Sequence, residues 1–369
     1  MGSWTRDRVR DIELSIRKIS EKAREQEECV RFDIGQPSFD TPEHVKEAAR
    51  GRMEQKQGYT STLGIGELRE AVAKEESMKK GIDTGSEEVM VTAGGMEAIY
   101  SVFATVLEGS DTAVFNDPCW GPYRMISEVN GNDWKQVNFF EDGELRDEAR
   151  EEFQDAEVVV VNTPSNPVGR VLGQEQAREV AEAAGDADAL LVSDEVYHRL
   201  TYGREHTSPA QFADECVVIG SMSKNHAMTG WRVGWVTAGQ QMVQQLAKAS
   251  RALVACPPKI SQLAAVEALE NDSHVDDMRS AYRERRDLVV ERMEELGWEF
   301  VEPEGAIYAF PRVERDSWDF CLDMIEKGVA MVPGEPFGPV CDRNVRISFG
   351  STTREEIDRA FDILEREFG

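Results

Sequence analysis

The sequence predicts an α/β fold with a mostly parallel sheet and a second, smaller α+β domain. Short apolar runs rich in β-branched residues alternate with helical patterns, which is typical of strands buried on both faces of a parallel sheet. The runs lie at 89–91, 113–115, 158–161, 189–192 and 217–219. A further run at 232–236 follows too soon for a helical crossover, so we expect an antiparallel strand there.

The two ends of the chain carry the elements of the smaller domain. At the N-terminal end, a helical pattern covers 11–26, and Thr41-Pro42-Glu43 has the form of an N-cap followed by proline at the first helical position. The C-terminal part has helical patterns at 273–296, near 316–326 and after 351–353, with apolar runs at 306–310, 329–332 and 345–349. We predict a large domain over residues 41–272 and a small domain formed by residues 1–40 and 273–369.

The charge of the chain excludes two classes of partner. Its 369 residues carry a formal net charge of −28, and acidic clusters are spread along the whole length. Such a surface repels nucleic acid and anionic membranes, so we expect neither as a partner. Lysine is scarce, at 12 against 30 arginines. This composition favours a halophilic protein, since salt screens self-repulsion, over an ordinary acidic cytosolic enzyme.

The cysteines and the N-terminus indicate a cytoplasmic protein. None of the six cysteines forms a CxxC pair, and no Cys/His group has zinc spacing, so we expect reduced thiols and no metal site. The N-terminal segment has charges from Arg6 onward and no apolar signal region. No run approaches the roughly 18 apolar residues of a membrane span.

Lys224 is the residue most suggestive of chemistry. It is the only lysine between Lys135 and Lys248, it follows a β-run, residues with hydroxyl groups flank it, and Arg232 comes eight residues later. A lysine amine can form an imine with an aldehyde cofactor on a flexible tether. The alternative is a surface lysine on a turn.

Polar residues also follow other predicted strands, at the edge where open α/β sheets bind ligands. Residues 92–97 read as strand, glycine turn and helix, which suits an anion at the helix N-terminus but equally suits a plain tight turn. Asn166 lies between two prolines in a loop after 158–161, and that loop could be purely structural. Asp194 could keep a pyridine nitrogen protonated with Tyr197 beside it, or it could be an ordinary helix N-cap.

Nine segments of the sequence, several of which contain the residues described above, occur in the same order as in a known protein family. The segments are 35–42, 58–69, 94–95, 117–123, 162–169, 194–197, 221–234, 303–306 and 345–349. Together they resemble a pyridoxal-phosphate-dependent aminotransferase of class I/II, in the fold-type I, aspartate aminotransferase-like superfamily. The resemblance covers roughly residues 30–350 and implies a seven-stranded, mostly parallel sheet in the large domain, with pyridoxal 5'-phosphate as cofactor.

The resemblance implies roles around the cofactor ring. Lys224 would carry the cofactor as a Schiff base and then move the proton between substrate and cofactor. Asp194 would pair with the pyridinium nitrogen, while Asn166 and Tyr197 would contact the phenolic oxygen. Trp120 would stack on the ring, unless it is plain core.

The resemblance also implies a phosphate site. Ser221, Arg232 and the backbone of Gly95 and Met96 would hold the phosphate, although Met96 lacks the hydroxyl that could add to it. Tyr59 would reach the phosphate of a neighbouring subunit, which makes the expected unit a homodimer with composite active sites.

The substrate is expected to be held by its α-carboxylate. Arg346 would bind this group in a bidentate manner, with Gly35 and Asn166 beside it, unless Arg346 is a structural ion pair. Choice among side chains would come from Ile16, the 120–124 loop or the 251–258 stretch. The Glu335-Pro336 pair departs from the family pattern close to this loop region.

The expected reaction moves an amino group between an L-amino acid and a 2-oxo acid, with 2-oxoglutarate as one partner. Arg124 or Arg251 could pair with a distal carboxylate, or either could be a solvated surface charge. Two other functions stay open: a lyase or decarboxylase on the same scaffold, because fold does not fix the reaction, and a non-catalytic binding module.

Overall fold

The structure, a computed structural model, describes residues 6–12, 15–26 and 28–368. Its strands are β1 (Val30–Arg31), β2 (Val89–Thr92), β3 (Thr112–Asn116), β4 (Asp133–Val137), β5 (Phe140–Glu141), β6 (Glu144–Leu145), β7 (Val158–Asn162), β8 (Leu190–Asp194), β9 (Cys216–Ser221), β10 (Gly234–Thr237), β11 (Tyr308–Ala309), β12 (Val329–Ala330), β13 (Val332–Pro333) and β14 (Val345–Ser348).

The helices of the described residues alternate with these strands. They are α1 (Asp7–Arg10), α2 (Ser15–Arg24), α3 (Glu43–Met53), α4 (Gly66–Lys80), α5 (Gly95–Val106), α6 (Pro122–Asn130), α7 (Asp147–Phe153), α8 (Gln174–Asp186), α9 (Met222–Asn225), α10 (Gln240–Val254), α11 (Lys259–Glu270), α12 (Ser273–Glu295), α13 (Ser317–Glu326) and α14 (Arg354–Phe368). Short 3₁₀ turns lie at Ser86–Glu88, Pro209–Gln211, Thr229–Trp231 and Glu335–Phe337.

A seven-stranded sheet forms the centre of the molecule and confirms the predicted fold class. Its strand order is β2-β10-β9-β8-β7-β3-β4. The pairs from β9 to β4 are parallel, whereas β10 runs antiparallel to both β2 and β9, as expected from the short link after the fifth run. Separate clusters of buried side chains cover the two faces of this sheet. The continuous apolar runs are therefore buried on both sides, which is why they lack polar alternation.

Strand β4 was not predicted. It lies at the edge of the sheet, next to β3, and its residues alternate between exposed and partly buried positions until Val137. The sequence Asp133-Trp134-Lys135-Gln136-Val137 therefore has no continuous apolar run. Edge strands often carry charged residues that discourage pairing with other chains, and this composition hid the strand from a search for buried runs.

Two predicted elements of the chain ends have different bounds in the structure. The pattern over 11–26 contains α2 at Ser15–Arg24, while residues 13 and 14 lie outside the described residues. The run at 329–332 is two strands on either side of Met331: β12 pairs with β1, and β13 pairs with β14. The prediction was wrong in treating 329–332 as one strand, because apolar periodicity does not show where a strand changes partner.

The predicted N-cap at Thr41 is also wrong. Helix α3 begins at Glu43 with Pro42 as its N-cap, and no side chain caps it. The hydroxyl of Thr41 instead donates to the carbonyl of Ala227 at 2.7 Å and accepts from the indole of Trp231 at 2.9 Å. A long-range contact to the loop after Lys224 has replaced the local cap.

The N- and C-terminal parts of the chain share one apolar cluster. Ile19, Val30 and Phe32 are buried with side chains from α12, α13 and α14. The same cluster includes Tyr197 and Ala227, which belong to the central part of the chain. The division into residues 41–272 and residues 1–40 with 273–369 stays a prediction.

The cysteines form no disulfide bonds. All six cysteines are free, and three of them, Cys119, Cys321 and Cys341, are buried. Burial raises the pKa of the Cys119 thiol far above its ordinary value. Across residues 6–12, 15–26 and 28–368, we find no helix with the length and apolar character needed to cross a membrane.

Candidate active site

A cavity of about 380 Å³ opens at the carboxyl ends of the parallel strands. Its lining residues are Ile16, Asp33, Gly35, Gly95, Met96, Ile99, Trp120, Asn162, Asn166, Asp194, Val196, Tyr197, Ser221, Ser223, Lys224, Thr229, Arg232, Tyr308 and Arg346. Eleven of the twelve predicted site residues are therefore together; Tyr59 is the exception. The topology explains this convergence, since β7, β8 and β9 end at Asn162, Asp194 and Ser221.

Lys224 lies on the one-turn helix α9, directly after β9. Ser221 caps this helix, and its hydroxyl oxygen accepts from the backbone N–H of Ser223 at 3.1 Å. The Lys224 amine donates to the carbonyl of Gly35 at 2.5 Å. Burial lowers the pKa of Lys224, and the nearby guanidinium groups of Arg346 and Arg232 lower it further. The environment therefore shifts the protonation equilibrium of Lys224 toward the neutral amine, which is the nucleophilic form.

Asp194 lies at the base of the cavity and is buried. The hydroxyl of Tyr123 donates to its Oδ2 at 2.5 Å, and the backbone N–H of Val196 reaches its Oδ1 at 3.3 Å. Burial raises the pKa of Asp194 to about 6, while the Tyr123 and Val196 hydrogen bonds act in the opposite direction. This carboxyl has no cation as a hydrogen-bonding partner among the described residues.

The neighbouring carboxylate, Glu195, shows the contrast. It points away from the cavity and contacts the buried Lys80 amine at 3.2 Å, His206 at 3.1 Å and the hydroxyl of Ser208 at 2.5 Å. Burial opposes its ionisation, but Lys80, His206 and Ser208 together lower the pKa of Glu195 well below its ordinary value. Two adjacent acids are thus assigned to different tasks by their partners: Glu195 to a structural ion pair and Asp194 to the cavity.

Arg346 lines the same cavity as Lys224. Its Nη1 donates to Oδ1 of Asn166 at 3.3 Å and its Nη2 donates to the carbonyl of Asp33 at 3.0 Å. Its guanidinium also lies 4.6 Å from the ring centroid of Tyr308. The Arg346 Nε is buried and has no hydrogen-bond partner among residues 6–12, 15–26 and 28–368. A buried guanidinium with a free donor is suited to an anionic ligand.

Two tyrosines, Tyr197 and Tyr308, line the cavity together with Arg346. The hydroxyl groups of Tyr197 and Tyr308 lie 2.9 Å apart, and the two rings meet edge to face. The Tyr308 hydroxyl also approaches Gly35 so closely that a β-carbon at residue 35 would overlap it. Glycine at position 35 is therefore required by the packing, and it leaves its backbone beside the cavity.

The turn between β2 and α5 forms a glycine-lined recess. Helix α5 has twelve residues and begins at Gly95. A β-carbon on Gly94 would meet the Arg232 guanidinium, and one on Gly234 would meet the backbone of Gly94 and Gly95. Arg232 donates to the carbonyls of Thr229 and Ala93 at 3.0 and 3.1 Å. A guanidinium and a helix N-terminus therefore converge here, as an anion requires.

Some of the residues expected to distinguish between substrate side chains line the cavity, and others do not. Ile16 and Trp120 line it. Arg124 and Arg251 do not: the Arg124 guanidinium donates to the carbonyl of Pro336 and lies 5.6 Å from the ring centroid of Trp134. Tyr59 is 93% exposed and also stands outside the cavity of its own chain.

Several cavity residues were missed by the sequence analysis. Asn162 accepts from the backbone N–H of Asn166 at 2.7 Å and donates to the carbonyl of Asp194 at 2.9 Å, so it ties two strand ends together. Tyr308 also lines the cavity and lies in the predicted 306–310 run, but it received no role. Tyr123 lies outside the cavity lining, in the 117–123 segment, and also received no role. A polar residue at a strand end was a usable signal for Asn162, whereas the contacts of the tyrosines appear only in three dimensions.

Comparison with known proteins decides the family. The family model described as aminotransferase class I and II matches residues 27–364. The chain belongs to the class I and II aminotransferases. It is 35% identical over 95% of its length to a probable N-acetyl-LL-diaminopimelate aminotransferase of Bacillus subtilis, of which it covers 93%. It is also 35% identical to an aspartate/prephenate aminotransferase of Thermus thermophilus, with 95% of this chain and 94% of the relative covered.

Solved structures agree with this assignment. The aspartate aminotransferase from Thermus thermophilus with maleate superposes with a TM-score of 0.93 at 34% identity, over 99% of this chain and all of that one. This aminotransferase therefore uses pyridoxal 5'-phosphate, and it transfers amino groups. These comparisons do not support the alternative hypotheses of a lyase or decarboxylase and of a non-catalytic binding module.

The burial of Asp194 in this aminotransferase predicts a measurable pH dependence. Its folded pKa of about 6 lies above the ordinary value of 3.8, so the cofactor-free folded state binds more protons between these values than the unfolded state. The Asp194 contribution to the free energy of unfolding should therefore fall as pH rises from about 4 to about 6. The expected change is about 3 kcal/mol.

Urea unfolding of the cofactor-free wild type and the Asp194→Asn variant gives a free energy of unfolding for each protein at each pH. Because the amide of the variant does not titrate, subtracting the two free energies removes the contribution of all other titrating groups. Asp186→Asn is the control, because Asp186 is exposed at the end of α8. A wild-type minus Asp194→Asn difference that is flat with pH would contradict the buried, cation-free environment.

Proposed function

We propose that this aminotransferase binds its cofactor and substrate through the cavity residues predicted from the sequence. The single observation that carries the proposal is the convergence of Lys224, Asp194 and Arg346 on one buried cavity. Each supplies what one part of the reaction needs: an amine, an acid facing a ring nitrogen, and a guanidinium for a carboxylate.

The donor groups of the cavity fit pyridoxal 5'-phosphate. Asp194 has a carboxyl with no cationic hydrogen-bond partner among the described residues, and a pyridinium nitrogen would provide one. Asn166 and Tyr197 offer an amide and a hydroxyl for the phenolic oxygen, and Trp120 offers a flat indole for stacking. When bound, the cofactor supplies an electron-withdrawing ring that stabilises negative charge on the substrate α-carbon.

The glycine-lined recess suits the phosphate. The backbone of Gly95 and Met96 opens α5, Arg232 adds a positive charge, and Ser221 adds a hydroxyl. The side chain of Met96 adds no polar group, so the phosphate relies on backbone N–H groups at this position. The close approach of Gly234 to the Gly94–Gly95 turn keeps this recess narrow.

Lys224 is suited to moving a proton at the substrate α-carbon. Its amine is buried, its pKa is lowered, and its hydrogen bond to the Gly35 carbonyl holds it inside the cavity. A neutral amine can accept the α-proton and deliver it again nearby, which a fully charged ammonium cannot do. Arg346 and Gly35 would hold the α-carboxylate so that this proton faces Lys224.

The substrates proposed are an L-amino acid and a 2-oxo acid, with 2-oxoglutarate as one acceptor. Ile16 and Trp120 border the space beyond the α-carboxylate site. A distal carboxylate would need a further cation, and Arg124 or Arg251 would have to move or come from a neighbouring subunit to provide it. The named relatives include aspartate, aromatic and diaminopimelate enzymes, so the family alone leaves the donor open.

The first test of this function replaces Arg346. In the holoenzyme, several amino acids should bleach the visible band of the cofactor and release their 2-oxo acids. Arg346→Leu should lower kcat/KM for every one of them by a similar factor, on the order of a hundredfold, since all lose the same two-pronged contact. Arg343→Leu is the control, because Arg343 is exposed three residues away.

The pattern of losses identifies the group that Arg346 contacts. Unequal losses, with some amino acids spared and others crippled, would contradict the assignment of Arg346 to the α-carboxylate. Absence of any 2-oxo acid from the wild type would contradict the proposed reaction itself.

We further propose a homodimer in which Tyr59 completes the partner's phosphate site. Tyr59 is 93% exposed in the single chain, an unusual state for an aromatic side chain. The neighbouring Thr62 donates to the carbonyl of Ala255 at 3.0 Å, beside the partly exposed Leu253 and Val254. This apolar surface is suited to burial against a second copy.

Mixing two inactive variants tests the composite site. Tyr59→Ala and Lys224→Ala chains should regain part of the activity after subunit exchange, because one hybrid site contains both intact residues. A mixture of Lys224→Ala with Asp194→Asn is the matched control and should stay inactive, since both residues line the cavity of one chain. Equal recovery, or no recovery, in the two mixtures would contradict the composite site.

We propose a cytoplasmic, halophilic setting for the enzyme. The free cysteines support a reducing compartment, and the net charge of −28 supports adaptation to salt. At 1 M salt the Debye length falls to about 3 Å, so repulsion between surface carboxylates is screened. The midpoint of thermal unfolding should therefore rise with potassium chloride up to molar concentrations; an unchanged midpoint would contradict the halophilic assignment.

A further inference from the structure

Tyr123 lies beneath the cavity without lining it. It is buried on α6, and its hydroxyl donates to Oδ2 of Asp194 at 2.5 Å. Its ring meets the indole of Trp120 edge to face, with centroids 5.4 Å apart, and packs on Phe115 at 5.6 Å. The two aromatic neighbours fix the ring, and the fixed ring fixes the direction of the hydroxyl.

We propose that Tyr123 is a positioning residue that keeps the Asp194 carboxylate ionised and oriented toward the cofactor ring. This inference rests on the proposed function, which pairs Asp194 with the ring nitrogen. The Tyr123 hydroxyl occupies Oδ2 of the carboxylate, and Tyr123 itself does not line the cavity, whereas Asp194 does.

The hydrogen bond is the main feature opposing protonation of Asp194. Burial raises the pKa of Asp194, and the bond from Tyr123 is the largest influence that lowers it, ahead of the longer contact from Val196. Burial and the nearby carboxylate raise the pKa of Tyr123 well above its ordinary value, so the phenol stays a donor at all working pH values.

Other charged or titratable groups near Asp194 cannot replace this bond. Glu195 raises the pKa of Asp194, and Lys80 lowers it only from a distance, because its amine is bound to Glu76 and Glu195. On the cavity side, Tyr197 donates or accepts within its pair with Tyr308. Lys224 contacts the Gly35 carbonyl rather than Asp194.

The alternative is that Asp194 only serves as the hydrogen-bond acceptor for the buried Tyr123 hydroxyl, which would be a purely structural role. In that case, removing the hydroxyl would lower the stability of the fold and leave the protonation of Asp194 unchanged. A positioning role has a different signature: the pH at which the cofactor dissociates must move, since an ionised Asp194 is what a pyridinium requires. Cofactor affinity as a function of pH separates the two roles.

The test compares Tyr123→Phe with the wild type and a matched control. Phenylalanine keeps the ring and its contacts with Trp120 and removes only the hydroxyl. Tyr282→Phe is the control, because the Tyr282 hydroxyl is buried and has no hydrogen-bond partner among the described residues. The dissociation constant of pyridoxal 5'-phosphate is measured by quenching of tryptophan fluorescence at each pH.

Tyr123→Phe should weaken cofactor binding about tenfold near neutral pH, the effect of one hydrogen bond to a charged group. Losing this bond raises the pKa of Asp194, so the fall in affinity on acidification should begin about one pH unit higher than in the wild type. The turnover number should fall while KM for the amino acid changes little. Tyr282→Phe should match the wild type in all three measurements.

The outcomes separate this inference from the proposed function. If Tyr123→Phe binds the cofactor with the affinity and pH midpoint of Tyr282→Phe, the positioning role of Tyr123 is overturned. If Asp194→Asn retains wild-type affinity and turnover, the pairing of Asp194 with the ring nitrogen fails instead. A shift in the pH midpoint for Tyr123→Phe together with loss of activity in Asp194→Asn supports both.

Discussion

Burial of charge is the constraint on which this active site depends. Removing Lys224 from water lowers its pKa, and removing Asp194 from water raises its pKa. Both groups are thereby moved toward neutrality, one as a free amine and the other as an acid that gains from a cationic partner. The same burial would be costly anywhere else in the fold. In the proposed function, a bound cofactor and substrate would provide the missing partners.

The positions at which the strands end bring these buried side chains together. Parallel strands β7, β8 and β9 deliver Asn162, Asp194 and Ser221 to one edge. The antiparallel strand β10 then packs Gly234 against the turn that opens α5. Arg346 comes from the separate three-stranded sheet and covers the cavity from the other side. In the proposed function, one sheet supplies the residues for the cofactor ring and phosphate, and the other supplies the guanidinium for the substrate carboxylate.

Most of the fold was predictable because it rests on local patterns, and most of the cavity was predictable because its residues lie in the segments that carry the family resemblance. Continuous apolar runs identified the strands buried on both faces, and polar residues after them identified Asp194 and Lys224. Strand β4 was hidden because an edge strand alternates, and the Thr41 cap was wrong because a distant carbonyl at Ala227 captured the hydroxyl. Tyr123 and Tyr308 acquire meaning only through contacts more than 70 residues away in sequence. The partner of Tyr59 belongs to a second chain, which one sequence does not display.

The central claim is that Lys224 is the residue that holds the cofactor covalently. Borohydride reduction of the holoenzyme, followed by proteolysis and mass spectrometry, tests it directly, because reduction makes the bond to the cofactor permanent. The account predicts that the added mass of the reduced cofactor is found on the peptide containing Lys224, and that Lys224→Ala protein gains none. Label on another lysine, such as the buried Lys80, or equal labelling of the Lys224→Ala protein, would contradict it.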